Sequence, residues 1–352
     1  MFIQKATSES VLIPETSSGP GGHFPHANQD RRLSRQWLSL GLAGLLTVVL
    51  GAAGGTGTAR AGDLAFIANS GEATVSVIDI ATRKELKRVP MLREPDHLGP
   101  TPDGKTLVVA DDAGNKMFLL DPKTGQVLSS TPVADPYQFQ FSPDQKYLVV
   151  NGLARDQIDI YDATTLKLVK RVPAPSLPSH LTFSPDSSME YSTLQGSNKV
   201  IAISLKTLEP VWTAEVGALP AGILWVNGKL LVGIMGEDYV AVVNPANGQV
   251  EQKIQTAKGA HNIFFSPDRS RLYVTNRVAG EVVALDTASL KEIARWRVPS
   301  GPDDISFDRD GKLWITERWG HKVAILDVAT NQMEEIQVGR SPHGIYLHVQ
   351  AD

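Results

Sequence analysis

The chain has 352 residues, 42% hydrophobic and 20% charged, ordinary globular proportions that allow one large domain or two of usual size. A formal net charge of −4 offers no basic field to hold a nucleic-acid backbone, which makes nucleic acid an unfavoured partner. The absence of cysteine excludes a disulfide framework, a thiolate zinc site, a cysteine nucleophile and covalently attached c-type haem.

Residues 1–30 are rich in Ser, Gly and Pro without hydrophobic period and read as a disordered N-terminal extension. Arg31, Arg32 and Arg35 then precede an uncharged run from Trp37 to Ala53, followed by small residues ending in Ala59-Arg60-Ala61. That order, basic then apolar then small, marks 31–61 as a secretory signal whose cleavage leaves Gly62 as the mature N-terminus. The stretch from Gln36 to Ala59 is also long enough to span a bilayer, so a retained anchor is the alternative and the one route to a membrane. Arg31-Arg32 is the start of a twin-arginine pattern, but Leu33, Ser34 and Arg35 lack the apolar pair that should follow. A periplasmic or secreted protein is expected.

From Leu64 onward one unit repeats. Seven segments begin alike at Leu64, Leu107, Leu148, Met189, Leu230, Leu272 and Leu313, 41 to 43 residues apart from start to start. Each continues with a second short apolar run (VSVID at 75–79, VAILD at 323–327), a polar turn (DPKTGQ at 121–126) and a third, alternating run (EIARWRV at 292–298). Each closes on a Pro-led fourth run and a turn, as in PSHLTFSPD at 178–186. Four short strands every forty-odd residues describe propeller blades, and no window past the signal holds a helical period. The expected fold is all-β: a seven-bladed β-propeller with four-stranded blades over 62–352. The chain enters on a second strand and leaves on a first strand, HGIYLHV at 343–349. The C-terminal strand is therefore expected to pair into the N-terminal blade and close the ring, removing exposed sheet edges.

Tyr273-Val274-Thr275-Asn276, with SPD or DG turns at 142–144, 184–186, 266–268 and 310–311, resembles the YVTN-repeat propeller family. That family includes YncE-like and surface-layer propellers and is related to the haem-binding propeller of nitrite reductase. The resemblance covers 64–349 and implies architecture rather than activity, because one fold hosts many functions. It brings periplasmic binding proteins, redox-pathway accessories and single-stranded DNA binders as precedents. The acidic balance argues against the last of these. Residues 313–321, LWITERWGH, resemble a blade motif of streptogramin lyases, which use a metal with His and Glu. The other blades do not share it.

With the first strand of each blade innermost, the loops before the first strand and between the second and third strands share one face. The first set carries Asp96-His97, Tyr137-Gln138, Ser179-His180, Ala221-Gly222, His261-Asn262, Asp303-Asp304 and His343-Gly344. Four of the six histidines from Gly62 onward, His97, His180, His261 and His343, thus hold one structural position. Imidazoles and a carboxylate meeting at one channel mouth suit a divalent transition metal, non-covalent haem iron or proton transfer. His97, His261 and His343 are the candidate metal ligands, and the plainer alternative is polar capping of neighbouring blades. The second set forms a polar rim of mixed sign: Asn69, Asp111, Asp112, Arg155, Asp156, Glu237, Asp238, Arg277, Glu317, Arg318, Trp319 and His321. Candidate ligand-binding residues are His97, His180, His261, Asp303, His343, Glu317, Arg318, Trp319 and His321. A binding or scaffold protein for a small molecule or a periplasmic partner is the leading expectation, and a metal- or haem-handling protein the alternative. No phosphate loop, nucleophile elbow or zinc-protease motif is present.

Overall fold

The computed structural model describes residues 62–349. The extension and signal expected over 1–61 lie outside the described residues. Among the described residues, 28 strands form seven four-stranded antiparallel sheets, with two single-turn 3₁₀ pieces at Ser70–Glu72 and Gln195–Ser197. The expected seven-bladed β-propeller is the fold. Its ring closes as expected: Pro342–His348 is the inner strand of the blade begun by Leu64–Asn69, with Leu64 opposite His348 and Ile67 opposite Ile345.

Strand chemistry follows radial position. Inner strands open on proline in five blades (Pro95, Pro178, Pro220, Pro302, Pro342), where an edge facing the channel needs no N–H from the first residue. Second strands are buried on both faces because neighbouring blades cover them, so Leu107–Asp111 and Leu64–Asn69 read as continuous buried runs. Outer strands face solvent, as in Val127–Pro132. Seven hydrophobic clusters result, one between each pair of adjacent blades; Trp314, Ile67, Ile345 and Val323 join the last blade to the first.

The turn joining first and second strands is built by side chains. Ser142 Oγ donates to Asp144 Oδ1 at 2.6 Å and accepts Tyr147 N–H at 3.0 Å, while Lys146 N–H reaches the same carboxylate at 3.1 Å. The pattern recurs at Ser184-Asp186 and Ser266-Asp268. These turns lie at one end of the channel, and the loops between second and third strands lie at the other.

Candidate functional site

The positions assigned to loops before the first strands are, in six blades, the second and third residues of the inner strands themselves. There two residues oppose one on the second strand, a β-bulge repeated around the ring: Asp96-His97, Ser179-His180, Ala221-Gly222, His261-Asn262, Asp303-Asp304 and His343-Gly344. A bulge breaks the two-residue alternation and re-aims side chains, so both members of a pair can serve the channel region. Threonines of the second strand repair the broken ladder. Thr193 Oγ1 accepts His180 N–H at 3.0 Å and donates to Ala221 O at 2.8 Å in the next blade. Thr316 Oγ1 accepts Asp304 N–H at 2.9 Å and donates to His343 O at 2.7 Å. Thr275, third residue of the YVTN tetrad, accepts Asn262 N–H at 3.1 Å. Where Gly233 replaces threonine, the blades approach so closely that a Cβ would lie 2.5 Å from His261 O.

These bulges bring four imidazoles together. Ring centroids are 4.5 Å apart for His97–His343, 5.3 Å for His97–His180, 5.3 Å for His180–His261 and 6.5 Å for His261–His343. Tyr137 stands edge-on to His97 at 4.9 Å. All four histidines are buried, none more than 6% exposed.

Each ring is oriented through one nitrogen. His97 Nδ1 donates to the Tyr137 carbonyl at 2.9 Å, which leaves Nε2 with a bare lone pair. His343 Nδ1 donates to Asp96 Oδ1 at 2.9 Å, and Ser70 Oγ donates to the same oxygen at 2.6 Å. His180 Nδ1 meets Ser179 Oγ at 2.8 Å. The Nε2 atoms of His97, His180 and His343 are buried without a hydrogen-bond partner among the described residues, that of His343 lying 3.6 Å from Asp303 Oδ2. His261 differs: its Nε2 accepts from the Arg277 guanidinium at 2.8 Å, and its Nδ1 lies 2.9 Å from Asp303 Oδ1 without hydrogen-bond alignment.

Two arginines reach inward from the second-to-third-strand loops. Arg277 donates to Asp303 Oδ1, and Arg318 lies 3.5 Å from Asp303 Oδ2. Burial opposes ionisation of Asp303, yet Arg277, His343 and His261 outweigh it and hold the carboxyl well below its usual range. Asp96 is likewise held low against burial by its bond from His343 and by Arg318. Burial pushes His97 down to about 3 and, with Arg277, His261 down to about 4; His180 also falls well below its ordinary value. These three imidazoles are neutral at neutral pH, and the lone pair of His261 is already taken by Arg277.

The histidines border space on the side of the Ser-Pro-Asp turns. A cavity of about 560 Å³ has His97, Asn262 and Asp304 at one end and Thr101, Ser142 and Gln145 of the turns at the other. A second of about 350 Å³ shares Gln138, Gln140, Asn262 and Phe264 with it and reaches His180. Burial pushes Asp304 up to about 6.

Of the sequence candidates, His97, His180, His261, Asp303, His343 and Arg318 meet in the hub. The other three candidates of the 313–321 stretch, Glu317, Trp319 and His321, do not. Glu317 is buried beside Lys322 and Glu335, burial raising its carboxyl to about 7. Trp319 is exposed and covers Gly301, and His321 Nδ1 accepts Ser341 N–H at 3.2 Å. Asn69 and Asp111 of the rim cap loop backbone: Asp111 accepts N–H groups of Leu92, Arg93, Glu94 and Gly114. Asp96 and Tyr137 shared the histidines' position in sequence, but only the fold shows Asp96 orienting His343. Arg277 carried no signal beyond its rim position.

The sequence model of the YNCE-like beta-propeller family matches residues 28–352. A Salmonella typhimurium protein named "Uncharacterized protein YncE" is 33% identical over 98 residues, 28% of this chain and 26% of that one. The chain thus aligns with about a quarter of that relative's length. Among solved structures, a functionally unknown protein of Desulfotomaculum acetoxidans superposes with TM-score 0.70 at 14% identity, covering 81% of this chain and 98% of that one. Dihydro-heme d1 dehydrogenase NirN superposes with TM-score 0.62 at 16% identity, covering 82% and 76%. At such identities these likenesses speak for the fold alone.

Proposed function

The chain belongs to the YncE-like β-propeller family, and on that premise we propose that it is an exported protein that acts by binding, its ligand seated in the central channel against the histidine cluster. The observation that carries this is the trio of buried Nε2 atoms on His97, His180 and His343, none with a hydrogen-bond partner among the described residues, two of them on residues that border the channel cavities. A buried polar atom left unpaired costs roughly 1–3 kcal/mol, so three at one locus are a structural expense that a bound group offsets. The cluster's Nδ1 anchors and the rigid ring hold the imidazoles in place before the ligand arrives, which reduces the ordering cost of binding.

Export is supported by the order of residues 31–61, basic, then apolar, then small. The ligand is small, an ion or a compact polar molecule, because the two cavities measure about 560 and 350 Å³. Untagged full-length protein, expressed with its own leader and taken from the compartment it reaches, tests this by native mass spectrometry and an absorption spectrum. A bound mass lost in the His97→Ala/His180→Ala double variant is expected. Identical masses for the unliganded chain in both, after allowing for the substitutions, would sink the reading.

A further inference from the structure

We propose a further binding site, in the seam between the blade of Leu107–Asp111 and the blade of Tyr147–Gly152, that takes a compact neutral molecule built on an aromatic ring. A cavity of about 390 Å³ opens there beside Thr101-Pro102-Asp103 and Gln145 of the turns. Val108, Met117, Leu119, Phe141, Leu148 and Leu166 line its depth. It shares Thr101, Phe141 and Gln145 with the channel cavity, but no histidine is among the described residues that line it. Protein interiors are otherwise close-packed, and an apolar hollow of this size with a few polar groups at its rim has the character of a small-molecule pocket.

The other seams show which groups are missing from this one. Val108, Tyr191 and Tyr273 are equivalent by register, each on a second strand and opposite Leu119, Ala202 and Ala284. Phe141, Trp225 and Phe307, on the inner strands of the following blades, are equivalent in the same way, opposite Leu148, Leu230 and Leu313. Around Tyr273 the ring centre of Trp296 lies at 6.2 Å and that of Phe307 at 5.6 Å. Around Tyr191 the rings of Trp212 and Trp225 both lie at 5.9 Å. These are favoured spacings for aromatic pairs. In the open seam Phe141 keeps its place, but valine stands where tyrosine does, and Thr131 opposite Met117 stands where Trp296 is opposite Val282. The other six blades hold Val89, Val172, Ala214, Ile254, Trp296 and Ile336 at that outer-strand position, so Thr131 alone is polar there. Where the second strand carries Val149 or Leu231, Val172 and Ile254 are buried in the seam cluster. The hollow beside Tyr273 has the same kind of mouth, Ser266-Pro267-Asp268 and Gly311, but measures about 280 Å³ and touches nothing on the third strand among the described residues. A phenol and an indole close that seam; their absence leaves the larger cavity.

The lining selects the occupant. Phe141 offers a ring to stack against, and Met117 a thioether, which makes favourable contacts with aromatic rings. The Thr131 hydroxyl can pair with one hydroxyl or N–H carried on the ring. Asp103, exposed and 3.7 Å from Lys105, is the one charged residue among the described residues of the lining. A charged ligand would therefore be buried without a partner.

The test titrates untagged full-length protein with indole and para-cresol, the two side chains missing from the seam, and with hexanol. Binding is read by calorimetry and by nuclear Overhauser contacts to the labelled methyl group of Met117. One equivalent of indole or para-cresol in contact with Met117 is expected, with hexanol bound several-fold more weakly. Val108→Tyr and Thr131→Trp fill the space, so each abolishes binding and raises the melting temperature. The contacts to Met117 are read on wild-type protein and stand even where a filling variant fails to fold. No binding of either aromatic, hexanol bound as tightly as both, or aromatic binding that survives both filling variants overturns the inference. So does a dimer that Thr131→Trp dissolves, which would make a second copy of the chain the occupant. Each of these failures leaves the hub reading standing, because that reading rests on the histidines and on its own double variant.

Discussion

At the scale of the residue, the molecule buries charge in two ways with opposite consequences for stability. Asp303 is fully buried but ringed by Arg277, Arg318 and His261. Removing one member of such a set strands the others, at roughly 3–5 kcal/mol. Asp303→Ala is expected to cost about that much by denaturant titration. In a double-mutant cycle with Arg277→Ala the two losses should fall well short of additive; additive losses would contradict the pairing. Glu190 is the reverse case, fully buried with Ser192 as its one hydrogen-bond partner among the described residues, so burial pushes it up to about 8. Between pH 4.5 and 8 the native carboxyl keeps a proton that the unfolded chain releases, so stability falls as pH rises through that window and levels off above it. Glu190→Gln is expected to stabilise by on the order of 1–3 kcal/mol at pH 8, a gain that shrinks toward pH 4.5. Equal melting shifts at both pH values would show that the carboxyl is not protonated in the fold.

At the scale of the element, short polar side chains do work that backbone ladders cannot. In three of the six bulged blades a second-strand threonine takes the freed N–H, as Thr193, Thr275 and Thr316 do. The tetrad at 273–276 therefore has a physical sense: Tyr273 and Val274 pack between blades, Thr275 mends the bulge, and Asn276 accepts Ala257 N–H from the preceding loop. Asp111 is the strongest of these caps, with four backbone N–H groups on one buried carboxylate. Asp111→Ala should cost roughly 2–4 kcal/mol. Amide exchange should accelerate first in residues 91–94, the segment leading to Asp96 and His97. Uniform acceleration across the blade would mean that Asp111 serves the global fold rather than this loop.

At the scale of the whole molecule, stability depends on a ring with no loose end. Deleting Pro342–Asp352 removes the inner strand of the first blade, exposes Leu64–Asn69 as an edge and strips His343 from the hub. An aggregating product without a cooperative melt is expected. A circular permutant that joins the paired ends by a short linker and opens at the exposed Lys123-Thr124 turn should instead keep a melting temperature within a few degrees of the parent. A permutant as unstable as the truncation would mean that chain order, not closure, carries the fold.

Blade number, strand order and ring closure were legible in the chain because each is a periodic property: apolar runs at a fixed interval, proline opening five of the seven inner strands, and a phase that starts on one strand and ends on its missing partner. The shared position of His97, His180, His261 and His343 was legible for the same reason. What only the tertiary structure decided is direction and pairing. A bulge shifts which side chains face the hub, and nothing in Asp96-His97 or His343-Gly344 announces that one carboxylate will orient an imidazole contributed 247 residues away. Asn276 and Glu317 close their second strands at equivalent places, yet one caps Ala257 N–H of the preceding loop and the other stays beside Lys322. Loop side chains answer to contacts made across blades, which periodicity in one dimension does not carry. The order of strands is local and repeats; the chemistry of the hub is made by residues that meet once.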